Sequence, residues 1–237
     1  MNALFVLAHQ DDELAAATRI LHLVRAGTIV HCAYLTNGGV SSKARDAESR
    51  AALATLGVRN AHFLGSAHGI PDGVLIEHAD AALALLERAM NGIALDEIYT
   101  LAWEGGHQDH DAAHLIAVAF AARRNLLERT WEFPLYHGHR SRFFRVLSPL
   151  ANGRAWTRRA LALRDGLASA LLCRFYTSQR KTWMGLLPEA LLKLVVLRRE
   201  CLRLVDVDHV QGREPRQDVE AAVAVVRVGQ GLAQALA

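Results

Sequence analysis

Apolar and polar positions change period repeatedly along the first 125 residues. Residues 2–8 (NALFVLA) are a short continuous apolar run, the pattern of a strand buried on both faces. Residues 13–26 return apolar side chains at helical spacing and stop at Gly27, a C-terminal cap. The same pair recurs as a strand at 28–35 and a helix at 43–56 ended by Gly57. A short strand at 60–64, a Gly/Pro loop at 65–73 and a helix at 76–90 follow, then a strand at 96–102 and a helix at about 109–124. Four strand–helix alternations predict a parallel sheet with helices on both faces and right-handed crossovers. Sites in such sheets form at the carboxyl ends of the strands, which is where loops 8–13 and 103–110 fall.

Beyond residue 130 the pattern is less regular. It predicts a strand at 130–136, Arg-rich amphipathic helices at 157–175 and 185–204, a late strand at 204–210 and a helical Ala/Val-rich tail from Val219. No repeat or linker interrupts the 237 residues, so the chain reads as one domain, 1–237, with a basic helical C-terminal part at about 139–216.

Composition narrows the class. With 51% hydrophobic and 22% charged residues, a disordered chain is excluded. The net charge of +3 hides a split: residues 1–138 carry net −6 and residues 139–216 net +10. The basic part reads either as a solvated face or as attraction to an anionic substrate or membrane surface. Residues 185–204 add a broad apolar face to Arg198, Arg199 and Arg203. The acidic first half and the lack of a recognised module argue against nucleic acid as a partner. No secretory signal and no run of the ~20 apolar residues needed to span a bilayer is visible. Cys32, Cys173 and Cys201 read as free thiols. A cytoplasmic chain is expected, with the inner face of the membrane as a place where it could work. The sequence is silent on oligomeric state.

Two polar clusters carry the candidate chemistry. His9-Gln10-Asp11-Asp12-Glu13 directly follows the first strand. His9 and Asp12, three apart at a strand-to-helix turn, can face one point, as a divalent metal with N and O ligands requires. Adjacent carboxylates at the end of a buried strand repel unless a cation or a proton relieves them. The bland alternative is that Asp11 or Asp12 caps the helix. The second cluster, Gly105-Gly106-His107-Gln108-Asp109-His110-Asp111, opens the helix after the fourth strand. His107 and His110 can share one side of the turn, with Asp109 or Asp111 available to orient an imidazole. Here the alternative is a polar helix start capped by Asp109.

With Ala8 before it, the first cluster resembles the AHPDDE signature of the PIG-L/LmbE-like N-acetylglucosaminyl deacetylases, Gln10 standing where Pro is usual. His107 to His110 resembles their HxDH signature. Thr36-Asn37-Gly38, Arg45-Asp46-Ala47-Glu48 with Leu56-Gly57-Val58, Asp72-Gly73 and Tyr176-Thr177-Ser178-Gln179 are similar to further segments, so the resemblance spans roughly residues 3–180. It implies zinc, or another divalent ion such as iron(II), on His9, Asp12 and His110. It implies Asp11 as general base, and His107, oriented by Asp109, as oxyanion stabiliser or acid. Arg45 and Asp72 would contact the sugar.

The expected fold is therefore α/β: a Rossmann-like three-layer arrangement with a mainly parallel sheet, without the GxGxxG of a dinucleotide enzyme. The expected function is zinc-dependent removal of the N-acetyl group from an N-acetylglucosamine-type sugar or glycoconjugate, anionic or lipid-linked. The competing readings are an amide hydrolase for another N-acyl glycoconjugate and a sugar-binding or scaffold protein with a vestigial metal site. The presence of all six motif residues argues against the latter. Among other residues, His137, His139 and Tyr136 read as candidates for the pocket mouth, Trp103 and Glu104 for its lining, and His68 for its rim.

Overall fold

The apolar run at the start of the chain forms β1 (Asn2–Leu7) in the interior of the sheet, with five of its six residues buried. The structure is a computed structural model and describes residues 1–138, 145–150 and 153–206. β1 lies between β2 (Ile29–Tyr34) and β4 (Glu97–Leu101), and Phe5 faces Cys32 on one side and Tyr99 on the other. Outside these lie β3 (Asn60–Phe63) and β5 (Thr130–Phe133), and all five strands are parallel. The sheet order is β3-β2-β1-β4-β5-β9-β8. A separate two-stranded pair joins β6 (Tyr136–His137) to β7 (Arg145–Val146). The last two strands, β8 (Thr157–Ala160) and β9 (Arg199–Leu204), are antiparallel additions beyond β5.

The helices follow the predicted alternation: α1 (Glu13–Arg25), α2 (Ser42–Thr55), α4 (Ala79–Ala89) and α5 (Gln108–Arg123). The two predicted glycine caps form. Gly27 (φ +82°) and Gly57 (φ +84°) hold the left-handed conformation. Each sits in a pair of backbone bonds, Thr28 to Leu23 with Gly27 to Val24, and Val58 to Leu53 with Gly57 to Ala54. α1 packs on α6 (Leu163–Leu171), and α4 packs on α5. Thirteen of the sixteen α5 residues are buried, which its Ala-rich sequence permits without crowding.

Strand order reverses between β1 and β4, because the chain runs outward to β3 and returns across β1 to β4. That reversal opens a crevice at the carboxyl ends of β1 and β4. The loops leading into α1 and α5 meet there.

The C-terminal expectations need correction. The predicted helix at 157–175 is the exposed edge strand β8 followed by α6, because β8 is held by pairing with β9 and has no apolar face to reveal it. The predicted helix at 185–204 starts earlier, as α7 (Arg180–Leu191), and runs into a π-helical turn at Leu192–Val196. Arg198, at φ +49°, then turns the chain into β9. Glu200 and Arg203, which looked like a solvated face, are buried: Thr18 donates to Glu200 at 2.7 Å, and Arg203 pairs with Glu132. The late strand is thus Arg199–Leu204, with Val205 and Asp206 already outside it, and the remainder of the stretch expected at 204–210 lies outside the described residues. Part of the loop expected at 65–73 is a short helix, α3 (Leu64–His68), pressed so close to Thr36 that a Cβ on Gly65 would overlap its backbone. The three cysteines are free. Residues 139–144 and 207–237, with His139 and the predicted tail helix, lie outside the described residues.

Candidate active site

The loop after β1 turns sharply at Asp11, whose φ of +113° is one that residues with side chains rarely adopt. Glu13 holds that turn: one of its oxygens accepts from the Asp11 backbone N–H at 2.9 Å and the other accepts from the Tyr176 hydroxyl. Ser49 Oγ lies 3.2 Å from the same hydroxyl. The Asp11 carboxylate is thereby turned toward the cleft. Arg45 Nη2 donates to one oxygen at 3.1 Å and Trp183 Nε1 to the other at 3.2 Å. Gln10 ties the loop down, donating to Asp46 at 2.6 Å and Ser66 at 3.1 Å.

Asp12 stands at the N-cap position of α1, but its side chain makes no capping bond. Its Oδ2 accepts from the His9 backbone N–H at 2.7 Å, and its Oδ1 lies 3.1 Å from His110 Nε2. His9 Nδ1 is 3.2 Å from His110 Nε2 and 3.8 Å from Asp12 Oδ2. Three donors, two from the loop after β1 and one from the first turn of α5, therefore converge in a buried corner. Donors around a tetrahedral zinc at ~2.0–2.1 Å would stand about 3.3 Å apart, so the spacing fits such an ion. His107 stands at the open side of this corner. His9, His107 and His110 also bring one ring nitrogen each within 4.8 Å of one another.

Asp109 works in two directions. Its carboxylate lies 3.2 Å from His9 Nε2 and accepts from the Gly73 and Leu75 backbone at 2.6 and 2.9 Å. Its backbone N–H donates to His107 Nδ1 at 3.2 Å, so His107, not Asp109, caps α5. The expected orientation of His107 by Asp109 thus runs through the backbone, and the carboxylate orients His9. Asp72 joins from the α3–α4 connection, 3.1 Å from His9 Nε2 and 3.8 Å from Arg45. Gly106 passes under Tyr136 so closely that a Cβ would overlap the Tyr136 carbonyl.

The charges reinforce one another. Burial pushes Asp11 up to about 7, against the pull of Arg45. Burial opposes charge on His9, but Asp109, Asp12 and Asp72 outweigh it and raise its pKa well above the usual value. Burial works against Asp12 as well, and His110 and His9 nevertheless hold it well below the carboxylate range. The bond to His9 leads in lowering Asp72 to about 2. Four carboxylates crowd three imidazoles here, and a divalent cation among them would relieve that crowding.

The cleft beside these groups has a volume of ≈ 190 Å³, and Tyr136, Leu135, Trp183 and Leu186 form its apolar walls. Arg45 and Asp72 line it, as do His9, Asp11, Asp12, His107 and His110. The structure brings all eight predicted site residues together, seven on the wall and Asp109 behind His9.

Residues 4–121 match the family PIG-L, described as GlcNAc-PI de-N-acetylase. The chain belongs to the PIG-L family. The matched stretch contains both metal-motif loops and stops short of the segment that supplies Trp183 and Tyr176. No curated protein matches the sequence. Among solved structures, the zinc-inhibited form of a teicoplanin deacetylase aligns with a TM-score of 0.68 at 12% identity, covering 87% of this chain and 99% of that one. The N,N'-diacetylchitobiose deacetylase of Pyrococcus horikoshii aligns at 0.55 and 16%, covering 92% and 88%. The 4-carboxy-2-hydroxymuconate hydratase of Pseudomonas putida KT2440 also aligns at 0.55 and 16%, covering 91% and 98%. At such identities these likenesses show the fold alone and leave the reaction to the site.

Some candidates fall elsewhere in this PIG-L chain. His137 is buried with Nε2 3.0 Å from the Ser148 carbonyl. Trp103 packs with Leu115 and Ile76, and Glu104 accepts from the Leu135 N–H at 2.9 Å. His68 is exposed and does not line the cleft. Tyr136 does line it. Trp183 was not singled out from sequence: it lies in the basic segment, 172 positions from the carboxylate it touches, with no local signature.

Proposed function

We propose that this chain is a metal-dependent N-deacetylase that hydrolyses the acetamide of an N-acetylglucosamine-type sugar or glycoconjugate. One observation carries the reading: Asp11, with both oxygens held, stands beside the convergent donors of His9, Asp12 and His110 in a chain of this family. The donor set of two imidazoles and a carboxylate is that of a catalytic zinc site, and these three residues would hold the ion. Bound zinc supplies a water acidified to a pKa of about 7 and a Lewis acid for the acyl oxygen.

The chain's own groups complete the chemistry. Asp11 takes the proton of the attacking water and returns it to the leaving amine. A carboxylate has about four lone-pair sites, so Arg45 and Trp183 leave it room to accept that proton. His107, accepting at Nδ1, is the tautomer with its proton on Nε2, and it presents a neutral donor to the developing oxyanion. Asp109 fixes the His9 ring. Asp72 at the mouth, with the buried Arg45 behind it, meets sugar hydroxyls, while Tyr136 and Trp183 offer flat apolar walls to a sugar ring. The basic C-terminal part favours an anionic glycoconjugate.

Acetate release from free, nucleotide-linked and lipid-linked N-acetylamino sugars tests the reading. Release should stop with a chelator and return with zinc. A metal-loaded protein that binds these sugars and releases no acetate would instead be a sugar-binding module.

A further inference from the structure

Exposed apolar side chains are concentrated in one stretch. Among the described residues, eight of the eleven large exposed hydrophobics fall between residues 163 and 197. On α6, Leu163, Leu167 and Leu171 recur every fourth residue and form a stripe about 12 Å long beside the buried Gly166, Ser169 and Ala170. Gly166 meets the Leu194 carbonyl so closely that a Cβ would overlap it, which sets this stripe next to the π-helical turn carrying Val196, 67% exposed. α7 packs on both and adds Met184, 66% exposed. Scattered apolar residues are ordinary on a surface, but a contiguous patch marks a contact.

Charge identifies the contact. Residues 157–199 carry net +7, and Arg164, Arg174, Arg180, Lys181, Arg198 and Arg199 are all exposed and interleaved in sequence with the apolar side chains. Asp165 is occupied by Arg25, and Glu189 by the Val146 N–H. The patch is aliphatic, whereas protein interfaces concentrate Trp, Tyr and Phe at their centres. A second copy docking isologously would bring two basic rims together. Residues 207–237 carry net −1, too little to match the rim. An aliphatic patch in an arginine rim suits the headgroup boundary of an anionic bilayer.

We propose that the α6–α7 face docks peripherally on an anionic lipid bilayer. No helix among the described residues is long and apolar enough to cross a membrane, so the contact is interfacial. α7 turns Trp183 and Leu186 into the cleft and its neighbour Met184 outward. Docking therefore brings the cleft next to the lipid surface, where a glycoconjugate on a lipid anchor would present its sugar. Docking itself does not depend on the deacetylase reading.

Co-sedimentation of the full chain with phosphatidylcholine vesicles, with and without phosphatidylglycerol, tests this. Binding to the anionic vesicles should be at least about tenfold tighter and should weaken as salt rises. Leu167→Glu with Leu171→Glu, and Arg198→Glu with Arg199→Glu, should each abolish it while leaving the thermal melt and activity on a soluble sugar unchanged. Three outcomes would overturn the proposal: no binding by the full chain, equal binding to both vesicles, or binding retained by both variants. A dimer that Leu167→Glu dissociates, in a chain that ignores vesicles, would assign the face to a second copy.

Discussion

The Tyr176 hydroxyl donates to the buried carboxylate of Glu13, 163 positions earlier, and the other oxygen of that carboxylate holds the backbone N–H of Asp11. The left-handed turn that aims Asp11 is thus secured from the far end of the chain. A turn of this kind costs of order 1–3 kcal/mol and persists when its surroundings over-determine it.

Tyr176→Phe should leave Glu13 short of a partner and destabilise the fold by about 1–3 kcal/mol. Turnover should fall while KM and bound metal hold, because Asp11 loses its aim and the donors of His9, Asp12 and His110 are untouched. Urea titration, steady-state kinetics and metal analysis on one preparation check this. A large rise in KM with kcat intact would place Tyr176 at the substrate instead.

Asp11→Asn should retain metal and lose about 10²–10⁴-fold in kcat, the range for general acid–base catalysis. His110→Ala should lose metal. Near wild-type turnover in Asp11→Asn would remove Asp11 from the base role.

Glu104 gives a pH signature apart from the corner of His9, Asp12 and His110. Burial pushes its carboxyl up to about 8 from 4.5. The folded chain keeps a proton that the unfolded chain releases above pH 4.5, so this group's contribution to stability falls as pH rises through that window and levels off above about 8. Glu104→Gln should flatten the decline. Urea midpoints of both proteins at pH 5, 7 and 9 measure the difference.

Metal removal should lower the melting temperature, since the crowded carboxylates of Asp11, Asp12, Asp72 and Asp109 would lose the positive charge of an ion held by His9, Asp12 and His110. Free zinc at 100 times its Kd would restore about 2.7 kcal/mol. Calorimetry before and after chelation reads this directly, and Asp12→Ala should show no zinc-dependent shift.

The parallel core and both metal-motif loops were legible because local signals define them: an apolar run, helical spacing, a capping glycine, then a burst of His and Asp. The C-terminal part was not. β8 has no buried face, and β9 buries Glu200 and Arg203 through pairing with Thr18 and Glu132. Charge that reads as solvated in a sequence can be interior when its partner comes from a distant helix or strand. Trp183 was missed for a similar reason, since its partner Asp11 lies at the other end of the chain.

The tight passage of Gly106 beneath the Tyr136 carbonyl has a mechanical consequence. The loop carrying His107 and the strand carrying Tyr136 have no slack between them, and the Tyr136 ring also stands 5.3 Å from that of His110. A sugar bulky enough to push Tyr136 aside would therefore drag His107 out of place. The cleft would reject oversized substrates by stalling them after they bind, and discrimination would be felt in rate more than in affinity.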